Sequence, residues 1–94
     1  MTYVLLKHTV ADYEEFKAIY EADAPHRLRR GSKGARLFRS ADEPNLLFML
    51  FEWDDPDKAH KFVDGYELHE AMEWATVIGD SEIHVIEEIE DSNA

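Results

Sequence analysis

The run Leu46-Leu47-Phe48-Met49-Leu50-Phe51-Glu52-Trp53 decides how the rest of the chain must be arranged. Its aliphatic and aromatic residues predict a strand, and an extended backbone sends alternate side chains to opposite faces. Leu46, Phe48 and Leu50 then point one way, and Leu47, Met49, Phe51 and Trp53 the other. Neither face can be left in water. Burying one large aliphatic or aromatic side chain contributes about 1.5 to 3 kcal/mol, so each face calls for a cover. With 94 residues the chain is read as one domain, and a domain of this size buries only about 60 to 65% of its unfolded surface. The helical segments of one chain can cover one face of a sheet, so a second copy is expected to cover the other, making the chain its own partner in a homodimer.

Working outward, Ala41-Asp42-Glu43-Pro44-Asn45 has turn composition and joins the run to Ala35–Ser40 as a hairpin. Beyond Trp53, Asp55-Pro56 offers a capping carboxylate before a proline at the first helical position. Ala59, Phe62, Val63 and Tyr66 follow at helical spacing, and Leu68, Ala71, Met72 and Ala75 repeat it. Gly65 between the two sets predicts a helix split in two, with Gly79-Asp80 expected to end it and Ile83–Ile89 to form a last strand. At the other end, residues 3–10 alternate Val4, Leu6, His8, Val10 against Tyr3, Leu5, Lys7, Thr9, a strand. Asp12 and Glu15 have the spacing of a capping box ahead of Tyr13, Phe16, Ile19 and Tyr20. Pro25 predicts either a kinked continuation of that helix or a second short turn, closed by Gly31 or Gly34. Gly31-Ser32-Lys33-Gly34 is too short for a phosphate-binding loop and reads as a linker. The order is βαββαβ: an α+β, ferredoxin-like fold with a four-stranded antiparallel sheet, spanning residues 1–91, with 92–94 a frayed tail.

Composition bounds the partners. A hydrophobic fraction of 45% suits a globular chain despite 33% charged residues, and without cysteine there is neither a disulfide framework nor a thiolate ligand or nucleophile. No apolar run approaches the roughly 20 residues a membrane span needs, and the first ten residues lack the features of a signal peptide. The expectation is a cytoplasmic protein with no membrane partner. The net charge of −11 is unevenly spread: Arg27, Arg29, Arg30, Lys33, Arg36 and Arg39 fall in a stretch without Asp or Glu, leaving four basic residues against all twenty-one acidic ones. Such a cluster can attract an anion. The simpler reading is a solvated helix end whose cations complement the helix dipole, and the acidic remainder argues against nucleic acid.

The element order, the doubly apolar sheet and the split second helix resemble the dimeric α/β-barrel superfamily, in particular the antibiotic biosynthesis monooxygenase-like proteins. The resemblance spans about Thr2 to Glu90. It is carried by Gly34-Ala35-Arg36-Leu37-Phe38-Arg39, by Leu46 to Trp53 ending in Glu52-Trp53-Asp54, by Asp57-Lys58-Ala59 with Phe62, and by Leu68-His69-Glu70-Ala71-Met72. It implies two sheets closing into a barrel between subunits, with a pocket between each sheet and its own helices. Members include cofactor-free oxygenases of aromatic substrates, haem-degrading enzymes and lactone isomerases. Oxygenase members resemble one another in a first-strand asparagine, a tryptophan and a histidine on the second helical region. Here Asn45 and Asn93 both lie outside the first strand, which removes one polar group and argues against haem degradation.

Two functional readings follow. One is a binding protein for small apolar or aromatic molecules, its aromatic residues otherwise core. The other is a cofactor-independent monooxygenase, or an isomerase or cyclase, acting on an aromatic or quinol-like substrate. In both, Phe51, Trp53, Phe62, Tyr66 and Trp74 are the candidate substrate-binding residues. His69 is the candidate acid-base residue, because imidazole exchanges protons near neutral pH. No cofactor is called for. His8, His26, His60, His69 and His84 have no metal-ligand spacing in sequence, so no metal is expected either. His8 and His84 are expected to face each other if their strands are neighbours. An apolar cavity with a few convergent polar groups between sheet and helices would mark the binding site.

Overall fold

The computed structural model describes residues 1–93; of the expected frayed tail, Ala94 lies outside the described residues. Strand β1 (Thr2–Val10) is followed by α1 (Tyr13–Ala22), α2 (Ala24–Arg30), β2 (Ser32–Arg39), β3 (Leu46–Trp53), α3 (Pro56–Asp64), α4 (Tyr66–Trp74) and β4 (Val77–Glu87). The strands form one antiparallel sheet in the order β2-β3-β1-β4. This is the ferredoxin-like α+β arrangement, with both helical excursions divided in two.

Local chemistry explains most boundaries. Asp12 accepts the Glu15 backbone N–H at 3.1 Å, capping α1. The other half of the expected capping box is replaced: the Asp12 N–H goes to Thr76 Oγ1 at 3.2 Å, tying the start of α1 to the segment before β4. Pro25 opens α2 at a position whose N–H would have no helical partner. Gly31, at φ +106°, closes that helix. Asp55 caps α3 with a 2.8 Å bond from the Asp57 N–H, and Gly65 is extended between α3 and α4.

Two expected boundaries are corrected. Ser32–Gly34 is the start of β2 rather than a linker, since the strand pairs with β3 back to Ser32↔Trp53 across an irregularity before Gly34. Gly79-Asp80 does not end a helix. Helix α4 stops at Trp74, and Gly79 lies inside β4.

All the helices pack on one face of the sheet. On that face Val4, Leu6 and Val10 of β1 and Leu47, Met49, Phe51 and Trp53 of β3 are buried with Phe16, Ala59, Phe62 and Leu68. An aromatic row runs through this core: Phe16 to Tyr20 (6.0 Å between centroids), Tyr20 to Phe51 (6.3 Å), Phe51 edge-on to Phe62 (5.7 Å), and Phe62 to Trp53 (5.1 Å). The opposite face carries Leu5, Leu46, Phe48 and Leu50, only half-buried, together with exposed Phe38 and Ile86.

Candidate functional site

Inside the helix-covered face, β1 places one polar residue in an otherwise apolar column. His8 follows Val4 and Leu6 in the alternation and is 2% exposed. Opposite it, β4 departs from regular pairing: Lys7 pairs with Glu82 and Thr9 with Ile78, so β4 contains two more residues than β1 across that interval. Gly79, at φ +68°, accommodates the detour. Ser81 is thereby left facing His8, its Oγ 2.8 Å from Nδ1. Burial pulls the His8 pKa down from 6.5 to about 4, because a charged imidazolium is poorly solvated there. The ring is neutral at neutral pH. When Nδ1 donates to Ser81, Nε2 is left with its lone pair and with no hydrogen bond to the described residues.

The junction of α1 and α2 supplies two further polar groups. Asp23 ends α1, its N–H bonded to Ile19 O at 2.9 Å. One turn later Arg27 reaches inward, 5% exposed, its guanidinium carbon 4.5 Å from the Tyr20 ring centroid and 4.8 Å from that of Phe51. Its ion pair with Asp23 is long, 3.4 Å from Nη1 to Oδ2. Burial raises the Asp23 pKa and lowers that of Arg27, as expected where both charges lose water. The basic stretch is therefore not uniformly a solvated helix end: Arg29 and Arg30 are exposed, but Arg27 belongs to the interior.

His8, Arg27 and Asp23 converge on a cavity between sheet and helices, walled by Leu6, Met49, Phe51, Phe62, Leu68 and Met72. The space is partly open and measures about 40 Å³, room for a few water molecules before the walls move. Ile19, Asp23 and Ala71 also border an outer groove of about 360 Å³ between α1, α2 and α4, where His26, Glu67, Glu70 and Trp74 stand. Asp23 thus sits where groove meets cavity. Among the described residues no group of three or more His, Asp or Glu side chains is placed to hold a metal ion.

The residues singled out from the sequence divide. Phe51 and Phe62 line the cavity. Trp53 is fully buried behind Phe62, outside the lining, with no acceptor for its Nε1–H among the described residues. Helix α4 turns Leu68, Ala71, Met72 and Ala75 inward, which places Tyr66 (76% exposed) and Trp74 (69% exposed) outside. Trp74 reaches only the rim of the outer groove. His69 is also exposed, its Nε2 3.2 Å from Val63 O, and does not border the cavity. His8 and His84 do not meet: His84 pairs with Leu5, whose side chain points to the opposite face from His8. The polar groups that do converge are His8, Arg27 and Asp23. The alternation around His8 was the signal for the first. The stacking of Arg27 on Phe51 is long-range and left no local trace.

Neither a family model nor a curated protein matches the sequence; solved structures do match the fold. The chain has the fold of the antibiotic biosynthesis monooxygenase-like proteins. A protein assigned as an antibiotic biosynthesis monooxygenase from Bordetella bronchiseptica superposes with a TM-score of 0.79 at 18% identity, over 94% of this chain and 96% of that one. SnoaB, a cofactor-independent oxygenase from Streptomyces nogalater, gives 0.77 at 17% identity, over 99% and 96%. A conserved protein from Methanosarcina mazei gives 0.73 at 19% identity, over 90% and 89%.

Proposed function

We propose that this chain binds a small, largely apolar aromatic molecule between its sheet and its helices, and does so as a homodimer joined through the open sheet face. The observation that carries the binding reading is the cavity itself: apolar walls on which the buried His8 and Arg27 and the half-buried Asp23 converge. Leu5, Leu46, Phe48, Leu50, Phe38 and Ile86 support the dimer, because a sheet face of that composition gains by being covered. Titration with toluene and related monocyclic probes, followed by NMR, tests the binding. Shifts concentrated at Met49, Phe51 and Met72 are expected; a protein whose interior signals stay still would sink the reading.

A second reading is favoured by the neutral, hydrogen-bonded His8 in a desolvated site. It is the cofactor-independent oxygenation of a quinol-like ring, in whose keto tautomer a ring CH₂ becomes a carbonyl while the second atom of O₂ leaves as water. The substrate supplies the electrons, and His8 Nε2 receives a proton while the anion left on the substrate lies beside it and offsets the imidazolium charge that burial disfavours. Oxygen uptake with anthrone-type substrates is expected to fall strongly in His8→Ala and to survive in His69→Ala. The reverse pattern would move the chemistry to α4.

A further inference from the structure

We infer that the molecule held in this cavity carries a single anionic oxygen, a carboxylate or an ionised phenol or enol, and that Arg27 receives it. This rests on the proposed binding reading and adds the charge of the ligand to it. A guanidinium has five N–H donors in a planar fork suited to two parallel bonds with one oxyanion. Arg27 uses little of that capacity: among the described residues its only side-chain hydrogen bond is the 3.4 Å contact to Asp23, longer than a strong charge-assisted bond. The group is nonetheless 5% exposed, pressed against Tyr20 and Phe51 and lining the cavity. Its remaining nitrogens are not sealed off, since Trp53 Nε1 is the one fully buried side-chain nitrogen without a partner among the described residues, and they can take a further acceptor without breaking a bond to the protein.

The surroundings narrow the class. The two rings beside the guanidinium offer flat apolar surface to a ring attached to the oxyanion. Arg27 is the single Lys or Arg side chain on the lining, and Asp23 offsets part of its charge, so a dianion such as a phosphate monoester is disfavoured. Asp23 borders both groove and cavity, so an entering anion displaces it or drives it to take up a proton from water at the doorway. The raised pKa of Asp23 makes protonation there less costly.

Benzoate, benzamide and toluene, closely similar in size, separate the alternatives. Each is titrated into the full chain and into Arg27→Met and Asp23→Asn, with affinity read from NMR shifts at Phe51 and Met72. Benzoate is expected to bind at least about tenfold tighter than benzamide, with the preference lost in Arg27→Met and strengthened severalfold in Asp23→Asn. If Arg27→Met does not fold, Asp23→Asn carries the test alone, and unchanged or weaker benzoate binding there overturns the proposal. Equal binding of benzoate, benzamide and toluene in the cavity overturns the anion assignment while leaving the binding reading intact. Shifts confined to the exposed Arg29 and Arg36 overturn it as well. No binding by any of the three removes both.

Discussion

Strand β3 has two apolar faces of nearly equal composition, and they have different fates. Leu47, Met49, Phe51 and Trp53 lie under the helices at 3% exposure or less, while Leu46, Phe48 and Leu50 are only half-buried. The covered face also accepts polar residues, His8 and Arg27, each with a specific partner. The open face carries its charges unburied among the apolar residues, as in the Lys7–Glu82 pair at 3.2 Å, where Lys7 stands opposite Phe48. Composition thus marks a face that needs a cover without saying whether the cover is intramolecular. What distinguishes the two is the polar detail: a face finished within its own chain holds buried, bonded polar groups, and an unfinished one does not.

The contrast can be broken most forcefully on the covered side. Phe51→Ala removes a ring that contacts Tyr20, Phe62 and Arg27 and is expected to cost about 3 to 5 kcal/mol in chemical denaturation. A loss below about 1 kcal/mol would mean that this face is not the core.

Next in size is the pH dependence carried by His8. Its folded pKa of about 4 lies below the ordinary 6.5, so between those values the unfolded chain binds more protons. Its contribution is fully present above pH 6.5 and is lost as the pH falls toward 4, roughly 3 kcal/mol over the whole window. His8→Gln should flatten the stability profile between pH 6.5 and 5, above the range of ordinary carboxylates. A profile parallel to that of the unmodified protein would show that His8 is not desolvated.

On the open side, Leu50→Glu leaves the helix-covered core untouched. It should weaken self-association at least a hundredfold, about 2.7 kcal/mol, as read by sedimentation velocity across a concentration series. An unchanged dimer would place the subunit contact elsewhere. The smallest effect belongs to the charged pair on that face: Lys7→Gln should change stability by less than about 1 kcal/mol, because the pair it breaks is exposed. A larger loss would show that Lys7 is buried in the assembled protein.

The parts of this architecture that were legible are those specified by residues near one another in sequence. The alternation of β3, the Asp55-Pro56 start of α3 and the break at Gly65 are local statements, and each appears where it was expected. The beginning of β4 was not legible. Gly79-Asp80 has the composition of a turn, and only pairing with β1 turns it into an insertion within a strand. The candidate site divides along the same line. Phe51 and Phe62 were among the candidates and line the cavity, although the alternation of β3 did not say which of its two faces would do so. His69, Tyr66 and Trp74 did not join them, because the face α4 turns inward is chosen by Leu68, Met72 and Ala75. Arg27 looked like one cation among six. Its burial depends on Tyr20 and on Phe51, which arrives from another element.

The strand order also constrains how the protein is made. β1 is central, pairing with β3 from Thr2↔Trp53 onward and with β4 from Thr2↔Glu87 onward. Both partners are synthesised after it, and the β2–β3 hairpin is the one strand pairing available between neighbours in the chain. As the polypeptide emerges, β1 must wait with Val4, Leu6 and Val10 unsheltered, since distant pairings close late and slowly. An interrupted chain that stopped before Val77 would leave one edge of β1 open, a template for unwanted strand addition. Completion of β4 therefore closes the edge and, through Ser81, positions His8 in the same event.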